Sequence, residues 1–176
     1  MASIFYVQAL LRYCTVYGGV RPPITLCATL KSAGDLLHKL ERDIKLLDAE
    51  VTTDKFFNFV ITAYSICDWI KNDPSVPIAA KKALSQFRTQ QEILICRDVA
   101  NSNKHFVLNP RNQSQAVTQE VKSEAGFGVG RYGVGGFGVG EEEITITLND
   151  GSVFGAIDFA SQVIAAWQDF FKQHQV

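Results

Sequence analysis

The stretch T-T-D-K-F-F-N-F-V-I-T-A-Y-S-I-C-D-W-I, residues 52–70, decides the fold of this 176-residue chain. Thr52, Thr53 and Asp54 carry side-chain oxygens of the kind that cap a helix N-terminus, so a helix is predicted from Phe56 to Ile70. Its predicted core face consists of Phe56, Val60, Ala63, Tyr64, Cys67 and Ile70, and Phe57, Phe59 and Trp69 widen that face. A helix that is apolar on nearly every side is a buried one, and we therefore predict that it lies at the centre of the protein.

Two further helical patterns flank this stretch. Before it, an apolar stripe with spacings of three and four residues runs from Leu26 to Leu47. After it, a second pattern runs from Ile78 to Leu108, as one long helix or as two helices with a break near Arg88 to Gln91. Short connections between the helical segments indicate an antiparallel bundle over residues 25–109.

Beyond Pro110 the hydrophobic period changes from helical to alternating. Strands are predicted over residues 116–121, 143–148 and 152–156, and Asn149-Asp150-Gly151 is a hairpin signal between the last two. A final amphipathic helix is predicted over residues 157–174, with an aromatic face that docks on the sheet or closes the bundle. The predicted fold class is therefore α+β, an antiparallel bundle of three helices plus a C-terminal helix, with a small three-stranded antiparallel sheet.

Length and composition favour one globular domain over residues 25–176, with residues 1–24 as a peripheral N-terminal segment. The chain is 47% hydrophobic and 20% charged, which is typical of neither a disordered nor a membrane protein. Its formal net charge of −1 excludes a large basic field for non-specific nucleic-acid binding. The four cysteines are far apart and form no C-x-x-C pair. We therefore expect free thiols, a cytoplasmic location, no bound metal and no cofactor.

Residues 126–140 read G-F-G-V-G-R-Y-G-V-G-G-F-G-V-G, a glycine-rich repeat with a period of five. Such a backbone loses much conformational entropy on ordering, which favours a loop that links two strands. The regular placement of Phe127, Tyr132 and Phe137, with Arg131 among them, leaves a second interpretation open. In that interpretation the segment becomes ordered on a partner or in an oligomer.

The ten residues C-R-D-V-A-N-S-N-K-H, 96–105, carry the candidate functional site. At about 100° per residue, one arc of roughly 120° holds Arg97, Asp98, Asn101, Lys104 and His105. His105 could act as a general acid or base near neutral pH, and Arg97 and Lys104 could hold a phosphate. Asn101 could orient the reacting group. Asp98 could fix the tautomer of the imidazole or pair with Arg97.

The polar residues of the central helix that we expect to face this arc are Asn58, Thr62, Ser65 and Asp68, and of these Asn58 and Asp68 are expected to contribute to ligand binding. A competing interpretation treats the arc as a polar network that ties the fold together through structural hydrogen bonds. Asn103 falls on the opposite, apolar side of the helix, where a buried amide would need hydrogen-bond partners.

The order of elements also carries a resemblance to known proteins. Phe56 to Trp69, then C-R-D-V-A-N-S-N-K-H, a Gly-aromatic loop, a hairpin and an aromatic last helix resemble a group of uncharacterised bacterial and prophage-associated proteins. The bundle is similar, more distantly, to the HEPN superfamily, whose helical domains occur in toxins and in the abortive-infection proteins of bacterial defence. Active members cleave RNA without a metal through an Arg and a His that are separated by four to six intervening residues, usually across a dimer interface.

The resemblance implies catalytic roles for Arg97 and His105, with Asn101 as an auxiliary residue. Seven residues separate Arg97 from His105, so the spacing departs from that of active members. Two functions are expected, and a small metal-dependent hydrolase is a third interpretation that metal analysis of the purified protein would test. The first is binding of RNA or another phosphate-bearing ligand by the polar arc, with metal-independent ribonuclease activity, in a protein that forms a homodimer. The second is a non-catalytic protein-interaction module that uses the Gly-aromatic loop and the C-terminal helix.

Overall fold

A computed structural model describes residues 30–104, 115–125 and 142–176, and only the backbone of Asn103 and Lys104. Ser32–Val176 fold as one compact unit. In chain order the described elements are α1 (Ala33–Ala49), α2 (Thr53–Asn72), α3 (Ile78–Phe87), α4 (Gln91–Lys104), β1 (Thr118–Ala125), β2 (Glu142–Leu148), β3 (Val153–Gly155) and α5 (Ala156–His174). The predicted α+β class, a helical bundle with a small antiparallel sheet, is confirmed. None of the described helices has both the length and the apolar composition of a membrane span.

Helix α1 begins at Ala33, later than the predicted start of the apolar stripe. Ser32 and Asp35 form a capping box, in which the Asp35 backbone N–H donates to Ser32 Oγ over 3.1 Å and the Ser32 N–H donates to Asp35 Oδ2 over 3.0 Å. The two described residues before Ser32 are not helical, so the predicted helix was wrong there. Its first predicted residue, Leu26, lies outside the described residues. The cap, rather than the apolar period, sets the start of this helix.

Helix α2 is the central helix, as predicted, and it packs against α1, α3, α4 and α5. Its buried residues are Phe56, Phe59, Val60, Thr62, Ala63, Ile66, Cys67 and Ile70. The N-cap is Thr52, whose side chain accepts a hydrogen bond from the Lys55 N–H. Tyr64 was predicted to belong to the core but is only half-buried, because its hydroxyl contacts the exposed Arg88 guanidinium at 3.2 Å.

A buried hydroxyl joins α1 to α2. Thr62 is 5% exposed, and its Oγ1 accepts a hydrogen bond from Lys39 Nζ at 2.7 Å. The same Thr62 oxygen lies 2.7 Å from Asp43 Oδ2 and 2.8 Å from the Asn58 carbonyl. Because Lys39 and Asp43 also form an ion pair, the polar side chains on this part of α1 satisfy each other against α2.

The helical pattern predicted from Ile78 onward forms two helices, α3 and α4, with the break in the predicted region near Arg88 to Gln91. Arg88–Gln90 form a turn between α3 and α4, and the Gln90 carbonyl accepts the first hydrogen bonds of α4, from Ile93 and Leu94. Across the α2–α4 contact, Cys67 and Cys96 are buried free thiols, as expected from their spacing. Burial raises the pKa of Cys67 to about 12 and that of Cys96 well above its usual value.

The three strands form one antiparallel sheet in the order β1-β2-β3. The inner face of β2 is buried through Ile144, Ile146 and Leu148. The Asn149-Asp150-Gly151 turn follows β2, and Gly151 adopts a φ of 85°, which a residue with a Cβ would adopt only with strain. Asn149 also donates from its side-chain amide to the Ala116 carbonyl over 2.8 Å, which fixes the turn against the chain that leads into β1.

Helix α5 follows β3 directly and both docks on the sheet and closes the bundle, since it contacts β2, β3 and all four other described helices. Its buried residues are Ala156, Phe159, Ala160, Val163, Trp167, Phe170 and Phe171. The Phe159 ring lies 6.3 Å from Phe56 of α2, between ring centroids. Trp167 lies 4.6 Å from Phe87 of α3 by the same measure. The predicted aromatic face is thus used inside the fold.

Glu142, the first residue of β2, joins the sheet to the beginning of α2. Its Oε2 accepts hydrogen bonds from the Thr53 N–H at 2.6 Å and from Thr53 Oγ1 at 2.7 Å. These hydrogen bonds favour the carboxylate and lower the pKa of Glu142 below its usual value of 4.5. The N-terminus of a helix also attracts negative charge, so this contact caps α2 as well as anchoring β2.

Burial of Leu40 in α1 should be a main source of stability. Leu40 is 0% exposed, whereas Leu46 on the same helix is 57% exposed. We expect Leu40→Ala to lower the free energy of unfolding by about 2–5 kcal/mol in urea titrations, because it leaves a cavity. The matched control Leu46→Ala should change it by less than about 0.5 kcal/mol. Equal losses in the two variants would contradict the position assigned to α1.

The Glu142–Thr53 contact predicts a pH dependence of stability. A carboxyl whose pKa is lower in the folded state stabilises the protein above its unfolded-state pKa, and that contribution is lost as the pH falls through the folded-state pKa. Wild type should therefore be more stable than Glu142→Gln at pH 7, and the difference should shrink below about pH 4.5. Thermal unfolding of both proteins between pH 3 and pH 7 measures this, and a difference independent of pH would rule the contact out.

Candidate functional site

The Arg97–Asp98 clasp joins α4 to the start of β1. Arg97 donates from Nε and Nη2 to Asp98 Oδ1, over 2.9 and 2.8 Å, and Nη2 also donates to the Gln115 carbonyl over 2.6 Å. Asp98 Oδ2 accepts from the backbone N–H groups of Val117 at 2.7 Å and Thr118 at 3.2 Å. Both carboxylate oxygens of Asp98 are therefore fully engaged.

Burial gives the clasp its strength. The Asp98 side chain is 6% exposed and that of Arg97 is 23% exposed. A carboxylate this deeply buried needs a charged partner and hydrogen-bond donors, and Arg97 together with two backbone N–H groups supplies them. Of the two roles weighed for Asp98 in the sequence, the observed one is pairing with Arg97. The observed strand β1 begins at Thr118, two residues later than predicted, and the clasp holds the chain at this point through the N–H groups of Val117 and Thr118.

The remaining residues of the predicted arc are described only in part. Asn101 is half-buried in the last part of α4. Lys104 is the last residue of that helix, and its side chain, like that of Asn103, lies outside the description. His105 lies outside the described residues altogether. The opposite, apolar side of α4 is buried as predicted, through Ile95, Cys96, Val99 and Ala100.

Asn58 and Asp68 both lie on the exposed side of α2. Within the described residues, no hydrogen bond or ion pair joins either of them to Arg97, Asp98 or Asn101. Asp68 instead lies close enough to Arg88 to contribute to the raised pKa of that guanidinium, whose hydrogen bond to Tyr64 is the larger stabilising effect. The structure thus brings Arg97 and Asp98 together but does not bring Asn58 or Asp68 into contact with them.

A groove of about 560 Å³ lies between α3 and α5 and shares no residue with the clasp. We call it the acidic groove. It is lined by Ala83, Gln86, Phe87, Thr89, Gln90, Glu92, Ala166, Asp169, Phe170, Gln173 and His174. A volume of this size is within the range of sites that hold small molecules or the side chains of a bound peptide.

Aromatic rings form the base of the acidic groove. The centroid of Phe170 lies 4.6 Å from that of Phe87 and 4.6 Å from that of His174, and both phenylalanines also pack on the buried Trp167. Tilted ring contacts at these distances are favourable and restrict the side-chain rotamers. The base of the groove is therefore held by the same aromatic cluster that attaches α5 to α3.

The rim of the acidic groove is polar and carries negative charge. Glu92 and Asp169 lie on it, and no Lys or Arg is among the lining residues. In the described part of the chain, no ion pair engages Glu92 or Asp169. The side-chain amides of Gln86, Gln90 and Gln173 likewise make no hydrogen bond there. The rim thus combines negative charge with hydrogen-bonding groups that are available to a ligand.

Sequence reasoning missed the acidic groove, although a signal for it exists. On α5, the residues Ala166, Asp169, Phe170, Gln173 and His174 have the spacing of a single helix face. On α3, Ala83, Gln86 and Phe87 have the same spacing. The helix predictions rested on the apolar residues of these helices alone. That the two mixed faces meet depends on how α3 and α5 pack against each other, which local patterns do not specify.

No group of three or more His, Cys, Asp or Glu residues in the described parts of the chain is arranged to hold a metal ion. No protein-family model, no curated protein and no solved structure matches the chain. The clasp and the acidic groove are therefore interpreted from their own chemistry.

Removal of the Asp98 carboxylate should destabilise the fold. Asp98→Ala removes the charged partner of Arg97 and leaves Arg97 Nε and the N–H groups of Val117 and Thr118 without their acceptor, and we expect a loss of about 2–3 kcal/mol in the free energy of unfolding. The matched control Asp68→Ala, at an exposed carboxylate, should cost less than about 0.5 kcal/mol. Chemical denaturation of both variants checks this, and an Asp98→Ala protein as stable as the control would show that the clasp is not structural.

Proposed function

We propose that this chain is a non-catalytic binding protein whose acidic groove accepts a basic segment of a protein partner. The observation that carries the proposal is the groove itself. Its rim holds Glu92 and Asp169 without an ion-pair partner among the described residues, and no Lys or Arg lines it. This proposal shares the C-terminal helix with the interaction module expected from the sequence, since one side of that helix forms one wall of the groove. The Gly-aromatic loop of that expectation, residues 126–140, lies outside the described residues.

The side chains of the acidic groove match the groups of a basic peptide. Glu92 and Asp169 can each accept charge-assisted hydrogen bonds from a guanidinium or an ammonium group. Gln86, Gln90 and Gln173 each carry both a donor and an acceptor, which is what pairing with peptide N–H and C=O groups requires. The aromatic base adds the edge of an apolar surface against which the methylene groups of an Arg or Lys side chain can pack.

A phosphate-bearing ligand is a poor match for the acidic groove, because two carboxylates would repel it. The Arg97 guanidinium, which the sequence suggested as a phosphate ligand, already donates to Asp98 and Gln115. Ribonuclease activity through Arg97, Asn101 and His105, and anion binding by Lys104, therefore remain expectations from the sequence and its HEPN resemblance. The geometry favours the binding protein.

A direct test uses short blocked glycine peptides with two central arginines or two central glutamates. The arginine peptide should bind and shift the amide NMR signals of Gln86, Glu92, Asp169 and Gln173, because an ion pair forms at the rim. Asp169→Asn and Glu92→Gln should each weaken its binding by roughly twofold to fivefold, because each removes one ion pair at a partly exposed rim. The glutamate peptide should not bind.

Glu143→Gln is the matched control, since Glu143 is an exposed carboxylate on β2, away from the lining of the acidic groove. This variant should bind the arginine peptide as wild type does. Equal binding of the arginine and glutamate peptides would contradict the proposal. So would RNA cleavage by wild type that Arg97→Ala and His105→Ala each abolish without lowering the thermal unfolding temperature.

A further inference from the structure

Strand β1 lies at an edge of the sheet. One side of it pairs with β2, and the sheet order gives it no second strand neighbour among the described residues. Six of its eight residues are exposed, on both faces of the sheet. An edge of this kind presents unpaired N–H and C=O groups to any strand that can approach it.

A row of alternating charge runs along the outward face of β1. Glu120, Lys122 and Glu124 alternate along β1 and therefore share one face of the strand. Val121 and Ser123, between them, pair with the buried Ile146 and Ile144, so the charged residues face outward. Lys122 forms an ion pair with Glu124. Glu124, and then Glu120, raise the pKa of Lys122. The row therefore reads negative, positive, negative.

We propose that the free edge of β1 pairs antiparallel with β1 of a second copy of this chain, about a two-fold axis at Val121. In this register Glu120 of each copy lies opposite Lys122 of the other, so two ion pairs form across the new strand pair. Val121 meets its own copy at the centre. The ladder extends from Gln119 to Ser123, since the Thr118 N–H is already bound by Asp98.

The charge row distinguishes this register from its neighbours. An axis at Lys122 would place Lys122 opposite itself and Glu120 opposite Glu124, which is repulsive. An axis at Glu120 would place Glu120 opposite itself. An axis at Ser123 would pair Lys122 with Glu124 but would put a serine pair at the centre. Val121 is β-branched and half-buried, and such residues are favoured at central strand pairs.

The proposed pairing forms a closed, two-fold symmetric contact. The order of strands would be β3-β2-β1 in one copy, continued by β1-β2-β3 of the other. Because the same edge is used in both copies, the contact closes at a dimer and leaves no further free edge on β1. This inference is independent of the acidic groove, which lies on residues of α3, α4 and α5.

The test is the mass of the full chain as a function of concentration, by sedimentation equilibrium. Wild type should reach twice the 19.5 kDa of one chain. Glu120→Lys places like charges opposite each other, and so does Lys122→Glu, so each should weaken dimerisation by at least about tenfold. An equimolar mixture of these two variants should recover the dimer, because each Lys of one chain then faces a Glu of the other.

Glu124→Lys is the matched control. It makes the same charge change on the same face of the same strand, but in the proposed register Glu124 faces no charged residue, so dimerisation should be retained. Circular dichroism establishes that all variants are folded, which exposed positions should allow. The proposal is overturned if wild type stays monomeric at all concentrations or if Glu120→Lys leaves the dimer intact. It is also overturned if Glu124→Lys disrupts the dimer and Glu120→Lys does not, which is the result for an axis at Ser123.

Discussion

The burial of one broad face of α2 is the constraint on which the rest of the structure depends. Eight of its side chains are buried, and at about 100° per residue they cover an arc of roughly 160° around the helix axis. An apolar surface of that width must be covered on several sides, so α1, α3, α4 and α5 all pack against it. Helix α5 contacts α2 and also β2 and β3, so it links the bundle to the sheet.

Two carboxylates connect the sheet to this bundle at separate points. Asp98 on α4 holds the start of β1, and Glu142 at the start of β2 holds the N-terminus of α2. Asp98 accepts hydrogen bonds from N–H groups at the start of β1, and Glu142 accepts one from an N–H group at the start of α2. Backbone N–H groups at these ends have no partner within their own element, and the carboxylates supply one. A polar residue in a segment that resembles a functional motif, such as residues 96–105, can thus be explained by hydrogen bonds that hold the fold together. The sequence suggested Arg97 and Asp98 as residues of a ligand-binding or catalytic site. In the structure they bind each other and the start of β1, which is a structural role.

The distribution of charge changes the functional interpretation. The sequence drew attention to the cations Arg97 and Lys104 and so favoured an anionic ligand. In the folded chain Arg97 is compensated, whereas Glu92 and Asp169 have no ion-pair partner in the described residues and border the acidic groove. A charge that is already neutralised by a buried partner attracts a ligand only weakly. A charge without such a partner, beside a concave surface, attracts an oppositely charged ligand more strongly. The geometry therefore favours a cationic partner.

The sequence alone determined the type of each described element, the central place of α2 and the hairpin at Gly151, and it offered a break between α3 and α4 as one of two alternatives. Each of these depends on contacts between residues close in the chain, such as caps, turns and apolar periods. The tertiary structure alone decided that Asp98 binds the start of β1 and that the mixed faces of α3 and α5 form the acidic groove. It also decided that Asn58 and Asp68 make no contact with Arg97. These features join residues that are far apart in the chain, and their positions depend on how whole helices pack, which local patterns do not encode.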